Sequence, residues 1–184
     1  DQRLLDRMGL FSVQTKCTNK NVHLTRPDLG RQLDKTALDT IQVQCRKNPD
    51  VQIVVADGLS SKAVEANLEN ILPAITEGLG QYHLSLGTPF FVKYARVPVM
   101  EVISETLGCE VICILIGERP GLATAGSMSA YIAYRATVGM PEARRTVVSN
   151  IHKDGISAVE AGAYIAEIIK KMHELKMSGV DLRL

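Results

Sequence analysis

Three short loops hold most of the residues able to do chemistry. Asp57-Gly58-Leu59-Ser60 places a carboxylate beside a glycine and a hydroxyl, the composition of a ligand-binding turn and equally of a helix cap. Gly117-Glu118-Arg119-Pro120-Gly121-Leu122 sets a glutamate and an arginine on a loop stiffened by proline, fit either to hold a polar ligand or to form an ion pair. Just beyond it, Thr124, Ser127 and Ser129 flank Gly126 with hydroxyl donors. Arg144-Arg145-Thr146-Val147-Val148-Ser149-Asn150 ends in two small polar residues and opens with an arginine pair that suits phosphate or plain solvent. His152-Lys153-Asp154-Gly155 follows as a polar loop.

What is missing narrows the chemistry. There is no Gly-x-Gly-x-x-Gly, no phosphate-binding Gly-x4-Gly-Lys-Ser/Thr, no Gly-x-Ser-x-Gly and no His-Glu-x-x-His. The 4 histidines are scattered, and no nucleophile lies with a base in a self-sufficient set. The 4 cysteines (Cys17, Cys45, Cys109, Cys113) are too sparse for a disulfide framework, and Cys109-x-x-x-Cys113 has the wrong spacing for a zinc knuckle. The chain has no catalytic residue of its own and no metal ligand on this reading.

The elements around these loops predict an α/β fold. Glu110–Ile116 reads EVICILI, a run apolar enough to be a strand buried on both faces, and it stops at Gly117. Val51–Ala56 is a second strand, ending at Asp57, and Phe90–Val92, Ala130–Ala133 and Thr146–Val148 are shorter ones. Helices are predicted over Gln2–Gly9, from Thr25-Arg26-Pro27-Asp28 to about Lys47, over Ser61–Leu72 with a continuation past Pro73 to Leu79, over Met100–Leu107, and over Ala158–Met177 behind the capping box Ser157-x-x-Glu160. Strand–helix alternation at this spacing predicts a parallel sheet with crossover helices on both faces. Ligands of such sheets sit beyond the carboxyl ends of the strands, where the three loops fall. Residues 1–50 are expected to form an N-terminal helical and extended segment, and residues 51–184 the sheet domain.

Composition excludes some partners. With 21 basic and 20 acidic residues among 184, the net charge is +1, and there is no Trp and only 3 Phe. Neither a nucleic acid nor an anionic membrane surface is expected. No apolar run approaches the roughly 18 residues of a membrane span. The cysteine usage fits a reducing cytoplasm. The chain starts at Asp1 rather than Met, as expected of a piece of a longer protein.

Several segments together resemble one family, the small (light) subunit of ethanolamine ammonia-lyase. They are LTRPDLGRQL (Leu24–Leu33), NPDVQIVVADGLS (Asn48–Ser60), LGTPFFVKYARV (Leu86–Val97), IGERPGL (Ile116–Leu122), Ser149-Asn150-Ile151 and KMSGVDL (Lys176–Leu182), in the family's order. The resemblance implies a Rossmann-like domain that holds adenosylcobalamin against a large, barrel-shaped subunit. That partner binds ethanolamine, and radical chemistry converts it to acetaldehyde and ammonia. It also implies a hetero-oligomer of several large–small pairs, in the bacterial cytoplasm and in many bacteria inside a microcompartment.

Carried over residue by residue, the resemblance makes Val97, Glu118 and Val147 cofactor-binding. Glu118 would accept hydrogen bonds from corrin amides, and the two valines would pack or present backbone groups. Other members can have Cys at the position of Val147, so a sulfur-specific role is excluded here. Asp57, Arg119 and Asn150 are further candidates by position alone. The base-off signature Asp-x-His-x-x-Gly is absent, and His152-Lys153-Asp154-Gly155 does not replace it. The cofactor is therefore expected base-on, with no histidine of this chain on cobalt. Family members commonly carry a longer arm before the segment matching Leu24–Leu33, and targeting or assembly contacts are expected there. The rival expectation is a non-catalytic scaffold relative, and a generic nucleotide-binding domain is disfavoured by the missing glycine fingerprint.

Overall fold

Two apolar strands side by side, Val51–Ala56 and Val111–Gly117, are buried at every position and form the spine of the molecule. The computed structural model describes residues 1–121 and 124–184; Leu122, the last residue of the IGERPGL motif, lies outside them. Among the described residues the elements run α1 (Gln2–Arg7), β1 (Ser12–Gln14), α2 (Lys20–Thr25), α3 (Lys35–Gln44), β2 (Val51–Ala56), α4 (Ser61–Gln81), β3 (Phe90–Lys93), α5 (Val99–Leu107), β4 (Val111–Gly117), β5 (Met128–Tyr134), β6 (Thr146–Ile151) and α6 (Ala158–Leu175). The six strands make one sheet in the order β1-β3-β2-β4-β5-β6.

The α/β class with helices on both faces holds. Alternation along β2 and β4 sorts side chains between two cores. Val51, Ile53, Val55, Val111, Cys113 and Leu115 face α4 and α6, with Leu4 and Leu5 of α1 alongside. Val54, Ala56, Ile112, Ile114 and Ile116 face α3 and α5. The 21-residue α4 runs through Pro73 without interruption, as the continuation to Leu79 anticipates.

Three details differ from expectation. First, β1, β3, β2 and β4 are mutually parallel, but β5 pairs antiparallel with β4 and β6 antiparallel with β5. An apolar run reveals burial and not direction. Second, no helix starts at Thr25; that residue ends α2, its hydroxyl donating back to Asn21 O at 2.8 Å. The next helix, α3, opens instead at Asp34, whose carboxylate accepts from Ala37 N at 2.8 Å. Third, β1 comes from the first fifty residues and adds a strand to the sheet by pairing with β3.

Candidate functional site

Two antiparallel steps after β4 restore its direction in β6, so the carboxyl ends of β1, β3, β2, β4 and β6 share one edge of the sheet. That edge gathers Asp57, Tyr94–Val97, Glu118 and Asn150. The chain leaves β2 by α4 to reach β3 on one side, then returns by α5 to β4 on the other, so the topological switch point lies between the loops after β2 and β4.

Backbone fills that switch point. Leu59 N donates to Gly117 O at 3.0 Å. A Cβ on Gly117 would come within 2.5 Å of Asp57 O and 2.8 Å of Ser60 C, so only glycine lets the two loops meet this closely. The Ser60 hydroxyl donates to Ala125 O, and the N-terminus of α4 has no side-chain cap. Asn67 Nδ2 on α4 holds Gly126 O at 2.8 Å, which ties the far end of the Glu118 loop to the same helix.

Asp57 neither caps α4 nor opens to solvent as a free acceptor. Its carboxylate accepts from Tyr94 N at 2.9 Å and Ala95 N at 3.1 Å, clamping the turn that follows β3. Tyr94 sits at φ +57°, a left-handed conformation a tyrosine adopts only under constraint. Its carbonyl is held by Thr15 Oγ1 at 2.8 Å. Burial pushes the Asp57 carboxyl above the ordinary carboxylate range, outweighing the two backbone donors that lower it. The clamped turn leads through Arg96, whose backbone N–H donates to Gly30 O at 2.9 Å, to Val97.

The three residues taken from the family resemblance fall on one face. Val97 packs half-buried on the α3/α5 core, as Tyr131 and Met140 also do. Tyr131 stands opposite Val147 in the β5–β6 register and opposite Ile114 in the β4–β5 register. Its phenol donates to Glu118 Oε1 at 2.9 Å. Glu118 is half-buried, its backbone N–H on Ser127 O at 3.0 Å. Val147 is 47% exposed, because neither α3 nor α5 reaches β6. The result is an uncovered apolar surface with a carboxylate at its margin. At its base, Arg145 and Glu101 of α5 form a buried ion pair at 3.0 Å, their side chains 8% and 7% exposed.

Arg119 is exposed on its loop. Asn150 sits at φ +63° and its Oδ1 meets His152 Nε2 at 2.7 Å, which shapes the turn back to Ile156. His23 is 3% exposed, its Nε2 on Gly58 O at 2.8 Å. His173 lies at the opposite edge of the sheet, its Nε2 2.9 Å from Glu110 and 3.5 Å from Asp50, the residues that precede β4 and β2. Tyr131 was not singled out from sequence. It reads there as one more apolar strand residue, and only the register places it between Glu118 and Val147.

A family model described as ethanolamine ammonia-lyase light chain matches residues 1–183. Among curated proteins, the ethanolamine ammonia-lyase small subunit of Clostridium tetani is 62% identical over 184 residues, which is 100% of this chain and 62% of that protein. The small subunit of Clostridium perfringens is 56% identical over 182 residues, 99% of this chain and 62% of that protein. That of Fusobacterium nucleatum is 57% identical over 184 residues, again with 62% of its length covered. The chain thus spans 62% of the length of these curated relatives.

Proposed function

Since the chain belongs to the ethanolamine ammonia-lyase light-chain family, we propose that it is the cobalamin-holding part of that enzyme's small subunit. In this reading it acts with a large subunit, which binds ethanolamine, in a hetero-oligomer of several large–small pairs. The complex converts ethanolamine to acetaldehyde and ammonia. Adenosylcobalamin, when bound, supplies the radical chemistry through homolysis of its cobalt–carbon bond. The setting is the bacterial cytoplasm, inside an ethanolamine-utilisation microcompartment. Among the described residues no helix is long and apolar enough to cross a membrane.

The observation that carries the reading is that Glu118 and Val147 meet at Tyr131 on the core face where Val97 also packs. The residues fit the group. A corrin has a broad apolar body fringed with amides, and the face offers half-exposed valines with a carboxylate acceptor beside them. Among the described residues Tyr131 engages Oε1 of Glu118, and Oε2 is the oxygen offered to an amide donor. Asp57 holds the turn leading to Val97. The base-on reading is supported by where the 4 histidines sit: His23 and His152 meet Gly58 and Asn150, His83 follows the C-terminal end of α4, and His173 faces Asp50 and Glu110 at the far edge.

The test is reconstitution of the chain with the cognate large subunit, followed by cobalamin binding and acetaldehyde release. Glu118→Ala is expected to weaken cobalamin binding about 10- to 100-fold, the weight of a hydrogen bond to a charged group. An assembled complex in which Glu118→Ala binds like wild type refutes the contact. A complex that binds cobalamin but yields no acetaldehyde favours the scaffold relative.

A further inference from the structure

We propose that Tyr131 is the positioning residue of this site: its phenol fixes the Glu118 carboxylate so that Oε2 faces the cofactor surface. The inference rests on the reading of Glu118 as a cofactor contact.

Tyr131 meets two of the candidate contacts directly and shares a core face with the third. Its Oη donates to Glu118 Oε1 at 2.9 Å, it stands in register with Val147, and its ring packs on the same apolar cluster as Val97. Glu118 follows the last residue of β4, and among the described residues its anchors apart from Tyr131 come down to its backbone N–H on Ser127 O. A glutamate side chain on a loop loses up to about 2 kcal/mol of rotamer freedom when a ligand orders it. A carboxylate already held by a phenol has lost that freedom before the ligand arrives, which is preorganisation.

The surrounding charges leave this bond undisturbed. Arg145, the cation that acts on the Tyr131 phenol, is committed to Glu101 at 3.0 Å. Burial first, and then the bond to Glu118, pushes the Tyr131 phenol up to about 12, so the group stays a donor across the working range of pH.

The test is Tyr131→Phe in the reconstituted complex, which keeps the ring and its packing and removes only the donor. Cyanocobalamin binding is followed by absorbance, with the KM for adenosylcobalamin and kcat measured beside it. Binding is expected to weaken about tenfold, within the rotamer freedom of Glu118 that the phenol no longer removes beforehand. KM should rise with it while kcat stays unchanged and the melting temperature falls by only a few degrees, the loss of one part-buried hydrogen bond. In a Glu118→Ala background the same change should cost less than about twofold, because the two groups act as a unit. If Glu118→Ala weakens binding but Tyr131→Phe does not, the positioning role is overturned and the Glu118 contact stands. If Tyr131→Phe costs as much without Glu118 as with it, Tyr131 acts by another route and the inference falls. If neither variant alters binding, the Glu118 reading fails and takes the inference with it.

Discussion

Replacing Asp57 by alanine removes the acceptor for two backbone N–H groups at once. Tyr94 N lies 2.9 Å and Ala95 N 3.1 Å from the carboxylate. Ala95 is fully buried, and Tyr94 sits at φ +57°. Each donor left unpaired costs about 1–3 kcal/mol. A left-handed non-glycine residue costs roughly 1–2 kcal/mol, and the turn then has less to hold it there. Relief of the carboxylate's own burial, which already raises its pKa, offsets part of this. The net loss is about 2–4 kcal/mol. In a chain of this length 1 kcal/mol moves the melting temperature about 2–4 °C, so the midpoint should fall roughly 5–15 °C in thermal unfolding followed by circular dichroism. A fall below about 2 °C would refute the clamp. The pH dependence gives a second check. A raised native pKa means the folded chain keeps a proton that the unfolded chain releases between the ordinary and the raised value. That stabilisation is complete below the ordinary value and is lost as pH rises through the raised one. The cost of Asp57→Asn should therefore be larger at pH 4 than at pH 7.

Three further outcomes test other parts of the structure. Glu101→Ala strands the Arg145 guanidinium, 8% exposed, without its counter-ion, and should cost about 3–5 kcal/mol in urea unfolding; a loss under about 1 kcal/mol contradicts the buried pair. Gly117→Ala drives a Cβ to within 2.5 Å of Asp57 O, a backbone atom that cannot rotate away, and should destabilise by at least about 2 kcal/mol; an unchanged melt would show that the two loops are not packed as described. Val147→Lys alters a side chain that is 47% exposed, so stability should stay within about 0.5 kcal/mol while cobalamin binding by the complex weakens; unaltered binding removes Val147 from the site.

The sequence was most legible where burial alone decides structure. The isoleucines of β4 are apolar at every position because both faces are covered, and its limits are read almost to the residue. The capping box at Ser157 and Glu160 announces α6 for an equally local reason. Thr25 misled because a hydroxyl followed by Pro27 resembles a helix start, while here it closes the previous helix by bonding back to Asn21. Strand direction was hidden at β5 and β6, since antiparallel and parallel strands of equal burial carry the same apolar pattern. The partners of Asp57 were hidden for a different reason. A turn of the type Asp-Gly-Leu-Ser is visible, but only the strand order β3-β2-β4 brings Tyr94 and Ala95 beside it. Family resemblance supplied Glu118 and Val147, and register supplied the tyrosine between them.

The meander β4–β5–β6 also sets a sequence of events in time. Its strands follow one another along the chain and pair as nearest neighbours, whereas Thr15 of the first strand's end meets Tyr94 across 79 residues. Contacts between close segments require little loop closure and form early, and hairpins do so in roughly 1–10 μs. Parallel partners far apart in the chain must wait. The Glu118–Tyr131–Val147 half of the face therefore belongs to a local unit, which is expected to form before the half bearing Val97 docks with β3. In amide exchange the two halves are expected to open as separate cooperative units, the meander independently of the turn that Asp57 and Thr15 hold in place; a single common opening rate would contradict this.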